Sequence, residues 1–372
     1  AAPAPPDRGL RPRYEWARPG DVNAFFGLMI DNIGDMILMT SLLVVAFGFP
    51  RDFVLTRMIP GTAVGVLAGD LIFTVMAFRL ARRLGRSDVT AMPLGLDTPS
   101  TFGSVFLVLG PAFVAAKGRG MDPAAAAEHA WSIGIAMLLA SGLFKLACAP
   151  FCGWIRRVVP RAGLLDVAAQ PVAGFASLIV VLATLSARWK LPDRAPGMLV
   201  AVGVGGILYY GMYLANLGPG PEGARPEGWL RFSLPFPMAG WWAWFQANWR
   251  EAAGYLPVAI PLALATIIGG VDCTESAAAV GDDYHTGWIV AAEGFATLVG
   301  GGLGGVIQST PYIGHPAYKA MGARAGYTLA TALFIGAVGV LGCFDWIFYL
   351  LPKAVVFPIL IFVGLEITAQ SF

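Results

Sequence analysis

Long apolar runs, each followed by a short polar or basic stretch, make up most of the chain from residue 23 onward. Because roughly 20 apolar residues cross a bilayer, this pattern predicts a series of membrane-spanning helices. The stretch 229–249, with its tryptophans among prolines, fits either an interfacial segment or a short span. The predicted spans lie near residues 23–48, 54–80, 98–116, 126–151, 167–187, 195–217, 250–281, 287–304, 315–322 continuing toward 342, and 354–370.

Prolines interrupt two of these runs in similar surroundings, at residues 91–103 and 306–316. Each stretch predicts an extended segment followed by a helix that starts at a Thr-Pro pair. Irregular backbone at membrane depth leaves amides and carbonyls unpaired, so it persists only where protein or a polar cavity covers it. Two such breaks in corresponding positions of two halves predict a transporter that binds its substrate between them.

Composition agrees with a membrane location and narrows the function. Of the 372 residues, 57% are hydrophobic and 13% are charged, about half the roughly 25% usual in soluble domains. The net charge is +2 and the basic residues cluster at span ends, which argues against a nucleic-acid partner. The four cysteines lack metal-site spacing, and no phosphate-binding loop or hydrolase motif is present. We therefore expect no metal, no cofactor and no enzymatic activity.

The distribution of arginines predicts the orientation. Clusters precede the first predicted span and follow the second and the fourth, which places the N-terminus in the cytoplasm of a cell with a bacterial-type inner membrane. The two breaks divide the chain into repeated halves. We assign residues 1–22 to a cytoplasmic segment, 23–158 and 250–342 to the two repeats of a core domain, 159–249 to a gate domain, and 343–372 to the start of a second gate segment.

Acidic residues inside predicted spans are candidates for function, because a charge at the bilayer centre costs roughly 2.5–3.5 kcal/mol. Asp31 and Asp35, four residues apart, share one helix face, and we expect them to couple transport to a proton or cation. A span-end position or a helix–helix hydrogen bond is the alternative. Asp272 and Glu275 lie among small residues in a long span, so we expect them to bind the substrate or carry the proton.

Polar side chains at the breaks can cap a helix or contact the substrate. The candidates are Asp97, Thr98 and Ser100 at the first break, and Ser309, Thr310 and His315 at the second. His315 is the one histidine expected inside a span and can relay a proton, although a cap or packing role explains it equally well. We assign His129 and His285 to loops.

From Asp272 onward the order of features resembles the nucleobase–cation symporters, the xanthine/uracil permease family. The first break, Ala91 to Thr98, is similar to a stretch of the purine-permease branch, and the run from Pro352 to Glu366 looks like the family's twelfth helix. The resemblance covers most of residues 23–370. Its later motifs match Asp272 with Glu275, residues 281–284, 292–294, Gly304 with Gly305, and 309–314.

This resemblance implies seven plus seven inverted helices with a core and a gate domain that move a small solute by an elevator-like shift, usually as a homodimer. Family members hold the ligand with an acid in the eighth helix, which matches Asp272 or Glu275, and with one in the tenth. The tenth-helix acid falls on Gly314, beside His315, so this chain departs from the nucleobase pattern. The same fold serves sulfate and bicarbonate permeases, which bind anions at half-helix N-termini.

We therefore expect an all-α polytopic membrane protein with an inverted repeat, two half-helices preceded by short strands, and further C-terminal helices missing after Phe372. The expected function is proton-coupled, or else sodium-coupled, symport of a small polar solute such as a nucleobase. Anion transport and a non-transporting membrane subunit are the alternatives. The expected substrate-binding residues are Asp97, Thr98, Asp272, Glu275, Ser309, Thr310, Tyr312, Gly314 and His315, and the coupling residues are Asp31, Asp35 and Glu275.

Overall fold

A computed structural model of the chain describes residues 14–152, 180, 196–215, 220, 225–226, 228, 230–233, 240–353 and 355–356. This part of the chain is almost entirely helical and contains one pair of short strands. Apart from three residues, the predicted spans near 167–187 and 354–370 lie outside the described residues, as does the basic cluster after the fourth predicted span.

The strands are β1 (Leu94–Leu96) and β2 (Ser309–Pro311). We number the helices in chain order and include their π-helical and 3₁₀ turns. They are α1 (Gly20–Ala46), α2 (Arg51–Leu84), α3 (Thr98–Gly118), α4 (Pro123–Phe151), α5 (Gly197–Leu214), α6 (Trp241–Ala253), α7 (Leu256–Ala279), α8 (Thr286–Gly302), α9 (His315–Ala320), α10 (Gly326–Val340) and α11 (Phe344–Leu350).

Six of the described helices, α1 to α5 and α7, are long and apolar enough to cross a membrane. Helices α10 and α11 together meet the same test, with a bend of 95° at the break between them. Their side chains combine lipid-like hydropathy with substantial burial, as expected for helices that pack against one another within a bilayer. The chain is a multi-pass integral membrane protein.

The first break forms where Pro93 and Pro99 prevent a continuous helix, because proline lacks an N–H and restricts the residue before it. Asp97 is extended, and its carboxylate accepts the Ser100 N–H at 2.7 Å. Pro99 lies in the first turn of α3, where a backbone N–H has no helical partner. The predicted helix start at the Thr-Pro pair is confirmed, and of the three candidate caps, Asp97, Thr98 and Ser100, it is Asp97 that caps the helix.

The second break differs from the prediction. Thr310 and Pro311 lie in β2, and α9 begins instead at His315, with Gly314 at its N-cap position. No side chain caps α9, so the expected capping by Ser309, Thr310 or His315 is wrong. Pro316, and not Pro311, takes the first-turn position. Pairing with β1 holds residues 309–311 extended, which the local sequence alone does not reveal.

The expected run of helix from 315 toward 342 is interrupted. Helix α9 ends at Ala320, and Gly322 then adopts a positive φ of 83° before α10 starts at Gly326. Such a φ is easily reached only by glycine, so this residue makes the turn possible. The second break is therefore followed by two short helices and not by one long helix.

Strands β1 and β2 pair antiparallel and bring the two breaks together. Gly95 lies opposite Thr310, and the neighbouring pairs are Leu94 with Pro311 and Leu96 with Ser309. Two further backbone hydrogen bonds extend the ladder, from the Tyr312 N–H to the Pro93 carbonyl at 2.9 Å and from the Asp97 N–H to the Gln308 carbonyl at 3.1 Å. Much of the backbone that leaves helical geometry is thus paired across the two halves.

Glycines allow α2 and α8 to approach closely beside the strands. A Cβ atom on Gly61 would lie 2.3 Å from the Gly305 nitrogen, and one on Gly65 would lie 3.1 Å from the Gly300 Cα. In lipid, where apolar burial gives helices little reason to associate, such small-residue contacts provide the packing. They fix the two helices that hold β1 and β2 from one side.

The short helix α6 contacts α4 and the turn that precedes it through polar side chains. Trp244 donates its indole N–H to His129 Nδ1 at 3.3 Å, and Glu251 accepts a hydrogen bond from Arg119 at 3.0 Å. The expectation that His129 lies in a loop is wrong, because His129 belongs to α4 and its ring is buried in this contact. Helix α6 starts at Trp241, inside the stretch 229–249, and continues to Ala253.

Asp282, in the loop between α7 and α8, is fully buried and joins this loop to both breaks. It accepts the Thr90 N–H at 3.0 Å and contacts His315 Nε2 at 3.2 Å and Lys319 Nζ at 2.6 Å. Burial raises the pKa of Asp282, but the hydrogen bonds from His315, Lys319 and Thr90 outweigh burial and hold that pKa below its ordinary value. The ionised carboxylate is therefore the form that the fold stabilises.

We predict that Asp282→Asn destabilises the protein, because it leaves Lys319 on α9 without its counter-charge. Removing one partner of a buried ion pair costs about 3–5 kcal/mol. Since the pKa of Asp282 is lowered on folding, its contribution is present at neutral pH and is lost as the pH falls through that pKa. The melting temperature of the wild type in detergent should therefore fall more steeply on acidification than that of the variant.

Asp283→Asn is the control, because this neighbouring carboxylate is exposed. We expect its melting temperature to match that of the wild type across the same pH range. An equal loss in both variants would show that the buried cluster does not stabilise the fold in the way described.

Candidate functional site

One face of the paired strands carries a buried carboxylate and a hydroxyl. Asp31 on α1 places its Oδ2 atom 3.3 Å from the position that a Cβ atom on Gly95 would occupy. Residues directly opposite in an antiparallel pair point to the same face, so the Thr310 side chain lies on this face as well. The Thr310 hydroxyl is buried and has no hydrogen-bond partner in the described part of the chain. This face, defined by Asp31, Gly95 and Thr310, is called the α1 face below.

The second acid of α1 contacts the first half-helix directly. Asp35 is fully buried, and its two oxygens lie 2.9 and 3.2 Å from the Thr98 hydroxyl, which donates to them. Thr98 is the first residue of α3, so the carboxylate lies at the helix N-terminus, where backbone dipoles favour negative charge. Asp97 caps the same helix. The structure thus brings together Asp31, Asp35, Asp97 and Thr98 at the first break.

The opposite face of the strands is also charged. Asp70 on α2 accepts the Leu94 N–H at 3.1 Å, and its other oxygen is buried with no hydrogen-bond partner among the described residues. Glu293 on α8 and Lys145 on α4, both fully buried, form an ion pair at 2.7 Å. Lys145 also donates to the Ser309 carbonyl at 3.1 Å. This face, defined by Asp70, Lys145 and Glu293, is called the α8 face.

Our sequence reasoning missed the residues that hold the strands in place. Asn32 accepts the Leu96 N–H at 3.1 Å, and Gln308 accepts a hydrogen bond from Thr266 at 3.4 Å. Lys145 was detectable, because an isolated lysine in a predicted span is a candidate by the same reasoning that selected the acids. Asn32 was also detectable, because it is a polar residue next to Asp31 inside a predicted span.

Asp272 and Glu275 lie elsewhere on the site. In α7, Cys273 donates its thiol to the Pro311 carbonyl at 3.2 Å, so that side of the helix faces β2. Glu275 is two residues, about 200°, further round the helix, and Asp272 is one residue, about 100°, before Cys273. Both acids are only partly buried. The two acids therefore lie about 60° apart on one side of α7, turned about 100–160° away from the contact of Cys273 with the second break.

The remaining predicted residues have identifiable contacts around the second break. Tyr312 stacks on Tyr318 with ring centroids 5.9 Å apart, and Gly314 leaves room for the Tyr312 ring. Both ring nitrogens of His315 face acceptor oxygens, those of Ala91 at 3.1 Å and Asp282 at 3.2 Å. These two contacts make His315 hold the loop before β1, away from the α1 face.

The strands are surrounded by more acids than bases. Asp31, Asp35, Asp70, Asp97 and Glu293 lie around the two breaks, and Lys145 is the cation that the described residues place against them. Within the described part of the chain, no group of three His, Cys, Asp or Glu residues is arranged to hold a metal ion. The groups that the described residues bring to the strands are hydrogen-bonding side chains and buried carboxylates.

Solved membrane proteins share this architecture. The transmembrane domain of the cyanobacterium bicarbonate transporter BicA aligns with a TM-score of 0.55 at 16% identity, over 94% of this chain and 88% of that chain. The structure of SLC26A9 aligns with a TM-score of 0.52 at 11% identity, over 94% of this chain and 57% of that chain. The predicted all-α polytopic fold with two strand-preceded half-helices is confirmed.

Sequence comparison adds no family. No protein-family model matches the chain. No curated protein matches it either. At the identities found among solved structures, the likeness concerns the fold alone, so the function must be argued from the site.

We predict that Asn32→Leu destabilises the strand pair. The variant removes the acceptor of the Leu96 N–H, and a buried backbone donor without a partner costs about 1–3 kcal/mol. The melting temperature of the detergent-solubilised protein, measured at a fixed scan rate, should fall accordingly. Asn248→Leu is the control, because that amide bonds only the Trp244 carbonyl of its own helix at a partly exposed position. Equal melting temperatures of the two variants would contradict the role given to Asn32.

Proposed function

We propose that the chain is a secondary transporter that moves a small anion across the membrane together with a proton. The single observation that carries this proposal is the hydrogen bond between Asp35 and Thr98, which links a buried acid of α1 to the N-terminus of the first half-helix. The solute site lies at the α1 face, where the Thr310 hydroxyl is available to a ligand.

The structural neighbours and the residue at position 314 favour an anion over a nucleobase as the solute. The aligned BicA domain belongs to a bicarbonate transporter, and a solute of that class fits a site lined by helix N-terminal amides and hydroxyl groups. A nucleobase site of the kind that the family resemblance implies uses two acids, and Gly314 occupies the position of the second. Anion transport, which the sequence analysis gave as an alternative function, is therefore the main proposal.

Electrostatics supports coupling to protons. An anion at the α1 face lies beside Asp31 and Asp35, and like charges in a medium of low dielectric repel strongly. Proton uptake by one of the acids removes this repulsion. By linkage, a proton that favours anion binding is itself bound more tightly when the anion is present. The pair of acids therefore turns an anion site into a site for an anion and a proton.

Other residues have supporting roles in this proposal. Asp97 sets the start of α3, while Ser309 and Thr310 present β2 to the solute. Asp272 and Glu275 line the approach from α7 and accept a proton during transport, and Tyr312 closes the α1 face beside Gly95. Gly314 gives the Tyr312 ring its space, and His315 holds the loop before β1. We further propose a homodimer with a cytoplasmic N-terminus in a bacterial-type inner membrane, and an elevator-like movement of the core.

We predict that proteoliposomes containing the purified chain accumulate bicarbonate, sulfate or another small anion when a proton gradient is imposed inward. Asp35→Asn and Asp31→Asn should abolish proton-driven accumulation while leaving equilibration of the anion across the vesicle membrane. Glu275→Gln or Asp272→Asn should abolish substrate-driven proton uptake. Asp283→Asn serves as the control with unchanged accumulation, because that acid is exposed.

Each alternative has its own result in this assay. Accumulation driven by a sodium gradient, with no effect of pH, would replace the proton by sodium. Uptake of xanthine or uracil without uptake of anions would restore nucleobase symport. Absence of transport and of ligand-induced thermal stabilisation for all these solutes would favour a non-transporting membrane subunit.

A further inference from the structure

Lys145 lies between the two breaks and is not explained by the transport scheme above. Its side chain is fully buried in α4, 2.7 Å from Glu293, 3.1 Å from the Ser309 carbonyl and 3.4 Å from the Thr297 hydroxyl. Asp97, the cap of α3, is close enough to interact electrostatically with both Lys145 and Glu293. One ammonium group therefore acts on the strand of the second break and on the cap of the first.

Stability is a weak explanation for such a pair. Two charges lose their hydration on burial, and well-packed apolar residues in place of a buried ion pair are often neutral or stabilising. Helices α4 and α8 also approach one another through Gly142 and Gly294, so the ion pair is not needed to bring them together. Its position beside the strands is the distinctive property.

We propose that Lys145 is a positioning residue of the anion site, which orients the Ser309 carbonyl and supplies the positive charge that offsets the acids around the strands. Its partner Glu293 partly offsets that positive charge. This inference rests on the proposed function, because it assigns to Lys145 and Glu293 opposite effects on anion affinity and on the pH at which transport is half-maximal.

The direction of each effect follows from charge alone. Lys145→Met leaves the strands with one positive charge fewer, which weakens the attraction for an anion and makes proton uptake by the neighbouring acids easier. Glu293→Gln leaves Lys145 without its counter-charge, which strengthens the attraction for an anion and makes proton uptake harder. A purely structural role predicts the same direction for both variants, a loss of active protein without a change in affinity or in pH dependence.

The test measures anion uptake by proteoliposomes over a range of pH for the wild type, Lys145→Met, Glu293→Gln and the double variant. We expect KM to rise about tenfold in Lys145→Met, equivalent to about 1.4 kcal/mol, and the pH of half-maximal uptake to move upward. Glu293→Gln should lower KM and move that pH downward. The double variant should lie near the wild type, because the two charges are removed together. Lys145→Arg, which keeps the positive charge, should retain most of the wild-type affinity for the anion.

For the same four proteins, the melting temperature is also measured as a function of pH without any solute. The pH dependence should move upward in Lys145→Met and downward in Glu293→Gln. Equal shifts for the two single variants, or changes in maximal rate alone, would overturn the inference. If a single variant fails to fold, the double variant and Lys145→Arg are compared with the wild type. A double variant with a raised KM and a higher pH of half-maximal uptake would then overturn the inference. Absence of anion uptake by the wild type would instead refute the proposed function, and the melting curves would still decide the role of Lys145.

Discussion

The constraint on which this structure depends is that backbone amides and carbonyls inside a bilayer must find partners within the protein. Each break exposes such groups, at a cost of several kcal/mol per unpaired group in hydrocarbon. The two breaks meet that requirement jointly, because β1 and β2 pair with one another. Each extended segment thus takes backbone partners from the other half of the chain, so the two halves depend on each other.

Side chains complete what the two strands cannot supply. Asn32 and Asp70 each accept a backbone N–H of β1, and Lys145 donates to a carbonyl of β2. These groups are polar or charged because a backbone group is best satisfied by a hydrogen-bonding side chain where water is absent. The same necessity places carboxylates among the membrane-spanning helices. Support of the irregular backbone and the proposed proton coupling therefore draw on neighbouring residues.

The sequence predicted this architecture well where the signal was local. Proline and glycine positions located both breaks, Asp97 was recognised as a cap, and the polar residues of α1 identified a helix with buried acids. The prediction was wrong where a partner distant in sequence decides the conformation. Thr310 and Pro311 form a strand and not a helix start because β1 pairs with them, and His315 turns toward Asp282. No pattern within residues 306–316 contains that information.

The pairing of β1 with β2 also constrains how the protein is made. Residues 94–96 enter the membrane well before Ser309 is synthesised, so the first break spends the intervening part of translation without its partner strand. During that interval the insertion machinery, lipid headgroups or water must satisfy the backbone groups of β1. Biogenesis should thus be most vulnerable between the insertion of α3 and that of β2, and truncated chains that end within this region should be preferred targets of membrane quality control.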